Sequence, residues 1–305
     1  MNEVLKTAMA TIGIIGTKKD RILRKIAALI LFTMYVTTTY ASTDGNNPFP
    51  DWRIERTEQN HSLAGKDSLT ITNPFGDVRV RTSIDDRLSV FAVIQRHEKD
   101  SNEPQLRFDT SDRAAILSVS YPETTTAFAP AVQASLTKRR VDIALFVPKT
   151  VALKIVTVDG LVQVKGHRGS VDAQTTSGDI SIHSWGTIST QTVSGSTQLV
   201  LRNASPAEPS SAQSRTGEIN VLLMEEAALQ VKMKTTGSIT TDYSVEIDNF
   251  PGTARKEAVA NIGEASAFLE LISGSGAITI SRNFAMIRTS KGETAGQENS
   301  LELAQ

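Results

Sequence analysis

Three aspartates, Asp159, Asp172 and Asp179, stand in the most regular part of the sequence. Two carboxylates at a suitable separation can act as acid and base on a glycosidic bond. Asp159, however, precedes a turn glycine, Asp179 follows one, and Asp172 falls on the outward phase of an alternating segment. Turn and surface roles are therefore expected for all three. His167 and His183 are sixteen residues apart, near one repeat. Two stacked imidazoles can begin a zinc site, but no third ligand is evident, and surface positions are expected for both. Ser177 and Ser194 have no base placed beside them. Trp185 offers a face for a sugar ring, although corner packing explains it as well. No glycine-rich stretch opens a helix, so no phosphate loop is read. The chain has no cysteine, which excludes a disulfide framework, thiolate metal sites and a cysteine nucleophile. The residues thus assign no catalytic group, no metal set and no cofactor, and the protein is read as not an enzyme.

What positions these residues is a repeat. Nine glycines, at 76, 160, 169, 178, 186, 195, 217, 237 and 276, share one downstream phase. Two residues on stand Val78, Val162, Val171, Ile180, Ile188, Thr197, Ile219, Ile239 and Ile278, eight of them apolar and β-branched. The residue three on is polar at all nine, and the residue four on is apolar at seven. Alternation at period two marks a half-buried strand. From 160 to 195 the glycines are spaced 9, 9, 8 and 9 residues apart and fall into two kinds. Gly160, Gly178, Gly195, Gly217, Gly237 and Gly274 follow Asp, Ser or Thr, whereas Gly169 and Gly186 follow Arg168 and Trp185. The full period is therefore about 17–18 residues, with two strands and two corners. Gly160, Gly169, Gly178, Gly186, Gly195, Gly217, Gly237 and Gly276 are read as corner glycines, suited by their access to positive φ. The fold class is all-β: a short-coil β-solenoid whose coils stack at about 4.8 Å. Stacking aligns equal positions, so Thr157, Thr175 and Thr192 should form a hydroxyl ladder, and Val162 should touch Ile180 inside.

The chain divides on this reading into a signal peptide (1–41), a linker (42–67), a solenoid domain (68–282) and a disordered tail (283–305). Within the solenoid, irregular strands over 68–140 cap one end and regular coils occupy 141–282. RNASPAEPSSAQ (202–213) reads as a polar loop thrown out of the stack. Residues 243–263 read as a second insertion that covers the other end. The basic KKDRILRK (18–25), the eleven-residue apolar IAALILFTMYV (26–36) and the small residues before position 42 follow the order of a secretory signal. The apolar run is shorter than the roughly 20 residues that span a bilayer; an uncleaved signal anchor or a buried helix is the other reading. No later segment is apolar enough to span, so no transmembrane segment is expected after signal removal. Residues 1–41 hold six of the 32 basic and two of the 33 acidic residues, leaving 26 against 31. Such a mildly acidic body lacks the footprint that nucleic-acid phosphates need.

The stretch from about 141 to 281 resembles a bacterial family known as "putative adhesins", a domain of unknown function built from short β-solenoid repeats. The pieces that carry the likeness are VPKTVALKIVTVDGLVQVKGHRGSVDAQTTSGDIS (147–181), TVSGSTQLVL (192–201), TGEINV (216–221), TGSITTDY (236–243) and LELISGSGAITI (269–280), with SLTITNPFGDVRV (68–80) as a first coil. The resemblance implies a solenoid fold and residence outside the cytoplasm, in the periplasm or at the cell surface. It implies no catalytic residues.

The outward row of the repeat is the functional candidate. Gln163, Asp172, Ser181, Ser189 and Gln198 alternate between two faces of the stack. A flat, repetitive polar surface suits many weak contacts to an envelope glycan or an envelope protein; a plain solvated face is the alternative. The expected function is an exported, non-catalytic, envelope-associated binding or structural module. A sensor or accessory protein in an envelope-stress response and a polysaccharide-active enzyme are the competing readings.

Overall fold

The computed structural model describes residues 40–41, 52–98, 100, 103–122, 139–203, 208–223 and 228–282, all within the unit Thr38–Gln305. The signal peptide expected over 1–41, apart from two residues, and the tail expected over 283–305 lie outside the described residues.

These residues form strands and no helix. In chain order the strands are β1 (Tyr40–Ala41), β2 (Trp52–Ser62), β3 (Ser68–Phe75), β4 (Val78–Ser83), β5 (Arg87–His97), β6 (Gln105–Thr110), β7 (Ala114–Ser120), β8 (Arg140–Pro148), β9 (Ala152–Asp159), β10 (Val162–His167) and β11 (Val171–Gln174). They continue as β12 (Ile180–Ser184), β13 (Ile188–Thr192), β14 (Thr197–Leu201), β15 (Ser210–Ser214), β16 (Ile219–Leu223), β17 (Leu229–Thr235), β18 (Ile239–Thr241), β19 (Glu246–Asn249), β20 (Lys256–Ile262), β21 (Ala267–Ser273) and β22 (Ile278–Arg282).

Two eleven-stranded sheets result. Sheet A runs β1-β2-β5-β8-β4-β10-β12-β14-β16-β22-β18, and sheet B runs β19-β20-β17-β21-β15-β13-β11-β9-β3-β7-β6. From β9 to β16 each coil gives one strand to sheet B and the next to sheet A, paired in parallel with the coils before and after. Val162 lies beside Ile180 and Ile180 beside Thr197, offsets of 18 and 17 residues, as the glycine spacing requires. The β-branched residue two after each glycine points inward: Val162, Val171, Ile180, Ile188, Ile219 and Ile278 are all at most 1% exposed. Both inner faces share one apolar core, in which each buried side chain contributes roughly 1.5–3 kcal/mol.

The ends depart from the repeat. At one, β2, β5 and β8 pair antiparallel in sheet A, and β6 with β7 in sheet B. At the other, β20 and β19 form an antiparallel hairpin on β17. Residues 243–263 thus contribute two strands that close this end of sheet B. The outermost strands are only two to six residues long, which limits the unpaired edge available for aggregation.

Two expectations are corrected here. Residues 52–62, assigned to a linker, form β2 and pair along their whole length with β5, from Trp52 opposite His97 to Ser62 opposite Arg87. The strand is half- to fully exposed at all but His61, so its sequence carries little apolar alternation. Residues 210–213, assigned to an extruded loop, belong to β15, which sits between β13 and β21. Its inward residues are Ser210, Ala212 and Ser214, too small and polar to display the period. Residues 204–207 lie outside the described residues.

The order of the last coils differs from chain order. The chain lays down β15 and β16, leaves one position empty, forms β17 and β18 beyond it, and returns through the β19–β20 hairpin. The last coil, β21–β22, then fills the gap, pairing in parallel on both sides.

Candidate functional site

Because side chains alternate along each strand and the coils are in register, every outward position becomes a row running across the strands. On sheet B one row places Gln174, Gln191 and Gln213 side by side, with Val156 before and Ile272 after. These residues line a groove of about 400 Å³, whose corner side is formed by Thr176, Val193 and Arg215. Each carboxamide offers one acceptor and two N–H donors. Gln174 donates to Asp172 at 3.3 Å, while the Gln191 and Gln213 side chains are exposed and bond to no described residue. The groove therefore presents solvent-facing donors and acceptors between apolar shoulders, with Val193 37% exposed. That combination suits hydroxyl-rich or amide-bearing ligands.

The residues expected as a recognition row divide between the sheets. Gln163, Ser181 and Gln198 are in register on sheet A, and Asp172 and Ser189 on sheet B. Gln163 accepts a hydrogen bond from Arg81 at 2.9 Å, and Asp172 accepts one from Gln174 of the groove. The glutamine row itself lay two residues further along each strand. Its signal was present: Gln174 and Gln191 are 17 residues apart, each five after a corner glycine. Gln213 has no such glycine, which is why the third member escapes.

The candidates for acid–base chemistry each have a local task. Asp179 accepts hydrogen bonds from the Ser196 N–H and hydroxyl, both at 2.8 Å, which ties two coils at the corner. Asp159 accepts from the Ser177 hydroxyl at 3.3 Å, and that hydroxyl also donates to the Val158 carbonyl at 3.1 Å. Ser194 donates to the Thr176 carbonyl. Among the described residues no three His, Cys, Asp or Glu side chains gather where a metal could bind.

His167 corrects the expectation of a surface histidine. It is fully buried, with Nε2 2.7 Å from the Val151 carbonyl. The cause is a bulge: the register with β12 shifts between Lys165 and His167, where Gly166 adopts φ +81°. One extra residue turns His167 from the outer to the inner face. Burial lowers its pKa, against the opposing effect of the Val151 carbonyl. His183 remains on the outer face beside Lys165, so the two imidazoles face opposite sides and form no pair. Its pKa is lowered by burial and then by Lys165, Arg202 and Arg81. Trp185 stands at the corner between Arg168 and Arg202, whose guanidinium carbons are 5.6 and 4.9 Å from the ring centre.

Parallel coils, two polar faces and buried corner hydroxyls define a β-solenoid repeat protein. The sequence model described as Toastrack DUF4097 matches residues 115–281, more than half the chain, and the protein belongs to that family of unknown function. Two solved structures are similar. A putative cell adhesion protein from Clostridium sporogenes is 14% identical with a TM-score of 0.42, the match covering 76% of this chain and 100% of that one. A putative adhesin from Bacteroides fragilis is 11% identical with a TM-score of 0.27, covering 75% and 97%. No curated protein matches the chain. Among the described residues no helix is long and apolar enough to cross a membrane.

Proposed function

We propose that the protein is an exported, non-catalytic binding module of the cell envelope, and that sheet B carries its recognition groove. The observation behind this reading is the in-register row Gln174–Gln191–Gln213 in a groove flanked by Val156 and Ile272. Repeated neutral amides at strand spacing match a ligand that repeats its own hydroxyl or amide groups, as an envelope glycan does. The row itself is uncharged, so its hydrogen bonds should be little screened by salt, with Arg215 at the corner side as the charged residue lining the groove.

The purified chain should co-sediment with an envelope fraction (peptidoglycan, outer-membrane vesicles or whole cells) at both low and high salt. Each hydrogen bond is worth roughly 0.5–1.5 kcal/mol, so replacing the three glutamines by alanine should weaken binding by roughly 10- to 1000-fold. Melting should change little, because outward substitutions of this kind usually shift stability by no more than about 0.5 kcal/mol. No binding to any fraction, or equal binding by the triple variant, would refute the proposal.

A further inference from the structure

On sheet A the outward row next to the tryptophan corner places Arg81, Lys165 and His183 directly opposite one another on β4, β10 and β12. The adjoining corner column stacks Arg168, Trp185 and Arg202 on successive coils: the Trp185 N–H bonds to the His167 carbonyl and the Arg202 N–H to that of Ser184. Both guanidinium groups lie over the indole. None of Arg81, Lys165, Arg168 and Arg202 is within ion-pair distance of an acid among the described residues.

Several other cations of the two sheets are ion-paired: Arg79 and Arg140 share Asp77, Arg96 pairs with Glu55, and Lys234 pairs with Glu270 at 3.8 Å. Like charges directly opposite on neighbouring strands are destabilising, and a body with 31 acidic and 26 basic residues after position 41 has acids enough to avoid it. An uncompensated cationic strip on an acidic protein is therefore a feature that an external anion completes.

We infer that this strip binds a linear acidic glycan that runs across the strands. The basic side chains would pair with its anionic groups at about the 4.8 Å strand spacing, Arg168 and Arg202 in bidentate fashion, and Trp185 would supply an apolar edge for a sugar ring. Burial first, and then the nearby Lys165, Arg202 and Arg81, lower the pKa of His183, consistent with this register. The site lies on the opposite sheet from the glutamine groove and stands or falls independently of it.

The test uses the purified full chain with polygalacturonate as the acidic glycan, and with dextran, phosphatidylglycerol vesicles and duplex DNA as comparisons. Polygalacturonate should bind, and dextran should not. Binding should weaken at least tenfold in Lys165→Glu/Arg202→Glu, and in Lys165→Gln/Arg202→Gln should the charge reversal fail to fold. Trp185→Ala should weaken it several-fold with the charges intact, while Gln191→Ala/Gln213→Ala should leave it unchanged. Unaltered binding in the charge variants would overturn the inference. So would vesicles or DNA binding as tightly as polygalacturonate, indifferent to Trp185→Ala, since the strip would then be a general electrostatic surface.

Discussion

Replacing Gly195 by alanine should cost roughly 4–5 kcal/mol or more, in the exceptional range for single substitutions and comparable to the whole stability of many domains, about 5–15 kcal/mol. A Cβ there would lie 1.8 Å from the carbonyl oxygen of Gly178. Gly178 stands in the same relation to Gly160, Gly217 to Gly195 and, at 2.1 Å, Gly276 to Gly217. The coils are stacked carbonyl against α-carbon, and the obstacle is backbone that cannot move without separating two coils. Each corner is also bolted from inside: the N–H groups of Gly178, Gly195, Gly217 and Gly276 donate to the hydroxyls of Thr175, Thr192, Ser214 and Ser273, three residues earlier, at 2.8–3.1 Å. Gly252 provides the internal control. It has φ +77° but nothing within 4 Å of a Cβ, so Gly252→Ala should cost only the left-handed backbone penalty of about 1–2 kcal/mol. Chemical denaturation of both variants checks the contrast. Equal, small losses would mean that the corners have room.

Ile180→Asp should unfold several coils together. Ile180 is 1% exposed and lies between Val162 and Thr197 in the stack. The substitution forfeits roughly 1.5–3 kcal/mol of burial and leaves a carboxylate without a partner, worth roughly 3–5 kcal/mol more. In a stacked array each coil is stabilised by its neighbours, so the loss spreads along the stack. Circular dichroism should show lost strand content and hydrogen exchange should show β10, β12 and β14 opening together. Ser181→Asp, one residue on and facing outward, should melt within a few degrees of the parent. An unchanged melt for Ile180→Asp would contradict the inward phase of every coil.

That phase was legible in the sequence because β-branched residues (Val162, Val164, Val171, Ile180, Ile182 and Ile188) fill most inward positions of these coils and recur with the glycines. The inward threonines were legible for the same reason: Thr157, Thr175 and Thr192 are all buried, although the Thr157 hydroxyl has no partner among the described residues. The cause read for the glycines was positive φ, and the structure gives a different one at most of them. Positive φ occurs at Gly76 and Gly160, whereas Gly178, Gly195 and Gly217 are required by close approach, which only a three-dimensional stack reveals. β15 was lost because Ser210, Ala212 and Ser214 carry no apolar signal, and β2 because its partner β5 shelters it only partly. The inward turn of His167 depends on one bulge at Gly166, a local event that no periodicity encodes. Nor can a repeat announce that its last coil is placed between the two before it, since every coil offers the same register. That placement matters for the site, because it sets Ile272 rather than Lys234 beside Gln213 and gives the groove an apolar wall.

The interleaved stack is therefore the claim to test most directly, and a chain without cysteine permits it with engineered pairs. Ser211 lies opposite Glu270, and Glu270 opposite Lys232. Neighbouring strands are about 4.8 Å apart, inside the roughly 4.4–6.8 Å Cα separation that a disulfide spans, and next-nearest strands are about twice that distance, outside it. On mild oxidation, Ser211→Cys/Glu270→Cys should cross-link nearly completely while Ser211→Cys/Lys232→Cys remains reduced. The reverse result would place the coils in simple chain order, put Lys234 into the groove beside Gln213, and contradict both the fold and the recognition surface built on it.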